Sequence, residues 1–202
     1  MKPRVKICGI TRAADAIAAV AAGADMIGLN FYAPSPRYIG LERALEIRAA
    51  VGARAMLVGV FVNADRVFIE ERRRALALDM LQFHGDEDDA ALAGWSVPVI
   101  RTIRARAGAA ADALARVRAD FALLDTFHPS LYGGTGVARP LDDLRNLDLS
   151  RVFISGGLNP ENARSAAALA PYALDCASGV ESAPGVKDHS KLGSFIANAR
   201  IS

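Results

Sequence analysis

Eight short β-prone runs recur at intervals of roughly two dozen residues, and alanine-rich segments with helical spacing separate most of them. The runs are RVKIC (4–8), MIGLNF (26–31), MLVGVFV (56–62), MLQFH (80–84), PVIRTI (98–103), FALLD (121–125), VFISG (152–156) and ALDCAS (173–178). Helices are expected over Ala13–Ala22, Leu41–Val51, Asp65–Leu76, Ala110–Val117 and Glu161–Leu169, since alanine is the strongest helix former. Thr11, Asn63 and Asn159 are the expected N-caps, the last followed by Pro160 at the first helical position. Eight strands alternating with helices in 202 residues favour a closed α/β structure, a single-domain (β/α)8 TIM barrel over residues 1–202. An open doubly wound sheet is the runner-up, but no GxGxxG follows the first run.

Strand alternation sorts these residues by face. Val5 and Ile7 suit the helix-facing side of strand 1, so Lys6 and Cys8 point into the barrel. Leu81 and Phe83 leave Gln82 and His84 inward on strand 4. Asp125 and Asp175 also look inward, whereas Cys176 falls on the outer face and reads as packing. Cys8, His84 and Asp125 thus gather at C-terminal strand ends, where barrel enzymes build their sites.

Composition narrows the chemistry. Net charge is +2 with arginines scattered, so the chain lacks the footprint of a nucleic-acid binder. The densest basic run, Arg72–Arg74, lies beside Glu70 and Glu71 and reads as a solvated helix face. No window approaches a membrane span, and the apolar run 5–10 is too short for a secretory signal, so a cytoplasmic setting is expected. There a disulfide between Cys8 and Cys176 is disfavoured. Three histidines without ligand-like spacing argue against a metal-dependent hydrolase built on Cys8, His84 and Asp125, and no metal is expected.

Glycine-rich segments supply the binding chemistry. SGGLNPEN (155–162) and SGVESAPGVKD (178–188) follow strands 7 and 8, where barrels commonly cradle phosphate with backbone N–H groups. Gly156, Gly157, Ser178 and Gly179 are the candidates. YGGTG (132–136), with Gly133, Gly134, Thr135 and Gly136, is expected to act as a lid. Arg37, at the end of the proline-stiffened PSPR (34–37), presents a planar fork suited to a carboxylate or second phosphate.

Taken together, KICGIT, NFYAPSPRYI, VGVFVN, LQFHGDE, LLDT with GGTG, SGGLNPEN and DCASGVESAPGVKD resemble the phosphoribosylanthranilate isomerase family of tryptophan biosynthesis. The resemblance implies an Amadori rearrangement of N-(5-phosphoribosyl)anthranilate to 1-(2-carboxyphenylamino)-1-deoxyribulose 5-phosphate. It matches Cys8 to the general base, Asp125 to the general acid and Arg37 to the grip on the anthranilate carboxylate. The glycines of the seventh and eighth loops match the phosphate cradle. His84 is expected to position the site or hydrogen-bond to substrate rather than to act in catalysis, and Asp175 to bind ribose hydroxyls or orient a loop.

The partner is then a small molecule, with no nucleic acid, membrane or cofactor, and the protein is a monomer or homodimer. Because an ordinary thiol titrates near about 8.5, Cys8 needs positive surroundings, and Lys6 is the candidate. Lys6 reads equally as part of a buried polar layer. His128 and His189 carry no expected role. One departure is VARPLDD (137–143), where the family usually continues with an aromatic-acidic-aromatic segment. Rival readings are a phosphosugar-binding barrel without catalysis and a sister phosphosugar isomerase. A broader relative uses paired aspartates, so Cys8 favours the narrower specificity.

Overall fold

The computed structural model describes residues 2–105, 108–126 and 141–201. Eight parallel strands close in chain order: β1 (Arg4–Ile7), β2 (Met26–Asn30), β3 (Met56–Phe61), β4 (Met80–Phe83), β5 (Val99–Ala105), β6 (Phe121–Thr126), β7 (Val152–Ile154) and β8 (Ala173–Cys176). β8 pairs back on β1, with Lys6 opposite Asp175. The expected (β/α)8 barrel is the fold, and the open sheet is ruled out.

The helices are α1 (Ala13–Ala22), α2 (Leu41–Val51), α3 (Arg66–Leu76), α4 (Asp89–Leu92), α5 (Ala110–Ala115), α6 (Ala163–Ala167) and α7 (His189–Ala199). α1 and α2 match expectation, while α5 and α6 are shorter than their alanine-rich segments. Two cap assignments need correction. α3 is capped by Asp65, whose carboxylate accepts from Phe68 N. Asn63 instead takes a positive φ of 49° and accepts from Asp86 N, bracing the turn after β4. Thr11 gives up the cap position to Arg12 and donates its hydroxyl to Gly185 O. Asn159 does cap the turn ahead of α6, in a reciprocal pair: its side chain accepts from Asn162 N, and Asn162 returns the bond to Asn159 N.

Two apolar layers follow from the period-2 pattern. Met26, Val58, Met80, Ile100, Leu123, Phe153 and Ala173 fill the barrel floor. Val5, Ile7, Leu81 and Phe83 face outward and pack with helix residues such as Ile47 and Phe195. Two residues further along the inward series come buried Lys6, Gln82, Thr102, Asp125 and Asp175. The polar site therefore rests on a dry floor.

Three aspartates tie strands at the opposite end. Asp25, Asp79 and Asp120 stand immediately before β2, β4 and β6. Each accepts from the backbone of the preceding strand, at Val5 N (2.6 Å), Leu57 N (2.8 Å) and Val99 N (2.8 Å). After β8 the chain makes an antiparallel hairpin that strand periodicity did not predict, β9 (Glu181–Ala183) and β10 (Val186–Lys187). His189, given no role from sequence, joins α7 to α1: its Nε2 lies 2.9 Å from Oδ1 of buried Asp15, which also accepts from Arg12 and Lys187 N. No helix among the described residues is long and apolar enough to cross a membrane.

Candidate active site

A cavity of about 310 Å³ opens at the C-terminal strand ends. Cys8, Arg37, His84, Asp125 and Asp175 line it, together with Gly156, Gly157 and Ser178 from the two glycine-rich loops. Side chains far apart in sequence meet there because every strand delivers its inward series to the same rim.

Cys8 follows β1, and its position depends on Gly28 of β2, which sequence reading overlooked. A Cβ on Gly28 would stand 2.9 Å from Cys8 Sγ and 3.1 Å from Lys6 Nζ. Lys6 is fully buried and its ammonium meets Asp175 Oδ1 at 2.6 Å. Burial opposes that charge, but Asp175 and the Cys8 sulfur outweigh it and hold Lys6 above its ordinary value. For Cys8 the balance goes against the expectation of a lowered pKa. Burial pushes the thiol up, Lys6 pulls it down, Asp175 pushes it up again, and the net direction is upward. Lys6 therefore serves the polar layer and the thiol together, with Asp175 offsetting part of its effect. Cys176 packs beneath the loop after β7, with Sγ 3.1 Å from Leu158 O, and burial drives its pKa to about 12.

His84 stands between Gln82 and Asp125. Gln82 Nε2 lies 3.1 Å from His84 Nδ1, and His84 Nε2 lies 3.4 Å from Asp125 Oδ2. An amide N–H donating to Nδ1 leaves the imidazole proton on Nε2, facing the Asp125 carboxyl. Thr102 Oγ1, within 3.4 Å of the same amide, secures Gln82 from β5.

Arg37 is held from two sides. Its Nε and Nη2 donate to Glu181 Oε1 and Oε2 at 2.9 and 2.7 Å, a bidentate pair. Its aliphatic stem crosses Gly9, where any Cβ would overlap Arg37 Cδ and where φ is +68°. Gly9 thus makes room for Arg37 rather than for substrate beside Cys8. Lys187, with a fully buried side chain, donates to Glu181 Oε1, Cys8 O and Ala177 O at 2.8, 2.7 and 3.0 Å. Burial raises the Glu181 pKa, but Arg37 and Lys187 prevail and hold it below the ordinary range. Glu181 and Lys187 lie inside the segment 178–188, of which only Ser178 and Gly179 drew attention. Their places at the ends of a hairpin were the missed signal.

Gly156 and Gly157 adopt φ of 85° and 67°, which a side chain would strain. Among the described residues their amides find no protein acceptor, so they remain available to an anion. Ser155 Oγ donates to Asp175 Oδ2 at 3.2 Å, giving Asp175 a bracing contact with this loop. Gly179 does not line the cavity; a Cβ there would overlap Leu158 O, so its role is close packing of the two loops. Gly133, Gly134, Thr135 and Gly136, His128 and most of the divergent 137–143 segment lie outside the described residues. No group of three or more His, Cys, Asp or Glu among the described residues is arranged to hold a metal ion.

Comparison with known proteins gives the site a family. The model of the N-(5'-phosphoribosyl)anthranilate isomerase family matches residues 5–198. The isomerase of that name from Pseudomonas fluorescens strain Pf0-1 is 46% identical over 198 residues, covering 96% of each chain. Its counterpart from Thiobacillus denitrificans is 43% identical with both chains fully covered. Among solved structures, phosphoribosyl anthranilate isomerase from Thermus thermophilus superposes with a TM-score of 0.87 at 38% identity, covering 96% of this chain and 97% of that one. Another solved isomerase, in complex with reduced 1-(o-carboxyphenylamino)-1-deoxyribulose 5-phosphate, has a TM-score of 0.80 at 36% identity, covering 98% of both chains. With the barrel, the lined cavity and these relatives agreeing along nearly its whole length, the chain belongs to the N-(5'-phosphoribosyl)anthranilate isomerase family of tryptophan biosynthesis.

Proposed function

We propose that this isomerase converts N-(5-phosphoribosyl)anthranilate to 1-(2-carboxyphenylamino)-1-deoxyribulose 5-phosphate, with Cys8 as general base and Asp125 as general acid. The observation that carries the reading is the meeting of Cys8, Asp125 and Arg37 with two amide-rich loops in one cavity. A phosphate fits the amides of Gly156 and Gly157 with the Ser178 hydroxyl, and the anthranilate carboxylate fits the outer edge of Arg37. Gly179 supports the cradle by packing rather than by contact. No cofactor is required, because the reaction only relocates protons.

The chemistry opens with two proton transfers. Asp125, neutral, gives its proton to the ribose ring oxygen; the C1–O bond breaks and the amine nitrogen becomes an iminium. The positive charge then acidifies the C2 hydrogen, which Cys8 takes as thiolate, leaving an enolamine. Protonation at C1 and loss of the enol proton yield the ketose. A thiol held neutral before substrate arrives suits this order: it releases its proton to water as the iminium forms, because the iminium supplies, at the moment of need, the positive charge that Lys6 alone does not provide. His84 holds Asp125 in orientation, and Asp175 keeps Lys6 and Ser155 in place. The two free cysteines suit a reducing, cytoplasmic setting.

The test follows anthranilate-type fluorescence as phosphoribosylanthranilate, generated in situ, is consumed. Wild type should consume it rapidly, while Cys8→Ala and Asp125→Ala should each lose at least about a hundredfold in kcat, the lower range for a general acid or base. Full activity in Cys8→Ala would remove the base from this scheme.

A further inference from the structure

We infer that Glu181 is a positioning residue that selects for the aromatic carboxylate of the substrate by presetting Arg37, with Lys187 anchoring the pair to the strand of the base. The inference rests on the reading of Arg37 as the carboxylate grip and extends it to two residues that reach the ligand only through others.

Geometry defines the division of labour. A lysine ammonium has three donors, and Lys187 places them on Glu181 Oε1, Cys8 O and Ala177 O. It has none left for a ligand. Arg37 has five N–H donors, and Glu181 takes Nε and Nη2. Among the described residues nothing occupies Nη1, and Arg37 lines the cavity. The side chain is thus fixed from below by Gly9 and from one edge by Glu181, leaving the other edge for a planar anion.

Charge points the same way. Arg37, Glu181 and Lys187 carry two positive charges and one negative, all at 13% side-chain exposure or less. Excess charge kept from water is costly unless a counter-charge meets it. A ligand carboxylate on Arg37 would balance the cluster, whereas a ligand without one would leave it unbalanced. Because Lys187 also holds Cys8 O, the grip and the base share one frame, which fixes the ring end of the substrate relative to the proton to be removed.

Two ligands test this: reduced 1-(o-carboxyphenylamino)-1-deoxyribulose 5-phosphate and its phenylamino counterpart lacking the carboxyl group. Dissociation constants are measured for wild type, Glu181→Gln, Arg37→Ala and the double variant. Glu181→Gln should weaken the carboxylated ligand about tenfold, equivalent to about 1.4 kcal/mol, and leave the other within about twofold. Unchanged binding of the second ligand also reports an intact barrel. The double variant should bind no more weakly than Arg37→Ala, since Glu181 acts through that arginine. Equal weakening of both ligands by Glu181→Gln, or weakening of neither, would overturn the inference while a selective Arg37→Ala left the Arg37 reading standing. If Arg37→Ala itself failed to distinguish the ligands, both would fall together.

Discussion

Lys6 and Asp175 face each other across the β1–β8 seam with Nζ and Oδ1 2.6 Å apart, although 169 positions separate them in the chain. The pair sits beneath the Cys8 thiol and acts on it with opposite signs.

Asp175→Asn should therefore lower the pH at which Cys8 becomes reactive, and Lys6→Met should raise it. Alkylation rates with iodoacetamide between pH 6 and 10 give the readout, and Cys176, held near 12, does not interfere. Each change also leaves a buried charge unpaired, for a stability loss of about 3–5 kcal/mol. Shifts of the same sign in both variants would contradict the opposed roles.

His84→Ala should reduce kcat by about 2- to 12-fold, the equivalent of losing a polar contact between neutral groups worth about 0.5–1.5 kcal/mol. Because His84 faces Asp125 rather than a phosphate-binding loop, KM should change little. The alkaline limb of the kcat profile, where a general acid loses its proton, should move with it. An unchanged profile would leave His84 without influence on the acid.

At the other end of the barrel, Asp25→Ala, Asp79→Ala and Asp120→Ala should each cost about 1–3 kcal/mol by leaving a strand N–H without its acceptor. The three occupy different strand pairs, so urea denaturation of the combined variants should show near-additive losses. Catalytic constants should hold, since the floor of the barrel separates these residues from the cavity. A loss of kcat would show coupling through the barrel.

Acid should destabilise the protein through Asp15 and Glu181. Burial raises both, but Arg12, His189 and Lys187 at Asp15, and Arg37 and Lys187 at Glu181, leave both below their ordinary values. Their stabilisation is complete above the unfolded carboxylate pKa of about 4. As pH falls below that value toward the folded-state values, the unfolded chain binds protons first, and stability declines. Asp15→Asn should be less stable than wild type at pH 7 yet show a shallower decline between pH 5 and 3. Parallel urea-midpoint curves for the two proteins over that range would count against the linkage.

Local chemistry made much of this legible. The two-residue repeat of RVKIC and MLQFH was enough to turn Lys6, Cys8, Gln82 and His84 inward, because strand alternation is a property of the backbone itself. Alanine content located α1 and α2 to the residue, and the glycines 156 and 157, picked out by their place after strand 7, take the positive φ that glycine allows. Capping was read less well, since Thr11 and Asn63 satisfy the same residue preference as a cap but spend their side chains on Gly185 and Asp86.

What only the tertiary structure decided are the quantities that depend on long-range meetings. Sequence named Arg37 but not Glu181, 144 positions away, which orients it. Nor could it show that the space over Gly9 is filled by the stem of Arg37. It expected Lys6 to lower the Cys8 pKa, and the sign of the net shift reversed once burial and Asp175 were added. Periodicity and propensity are set by neighbours along the chain, so sequence alone determined the strands, the inward faces and the closed alternation. Desolvation and Coulomb terms sum over neighbours in space, so the charge state of the thiol and the setting of the arginine were settled only when the barrel closed.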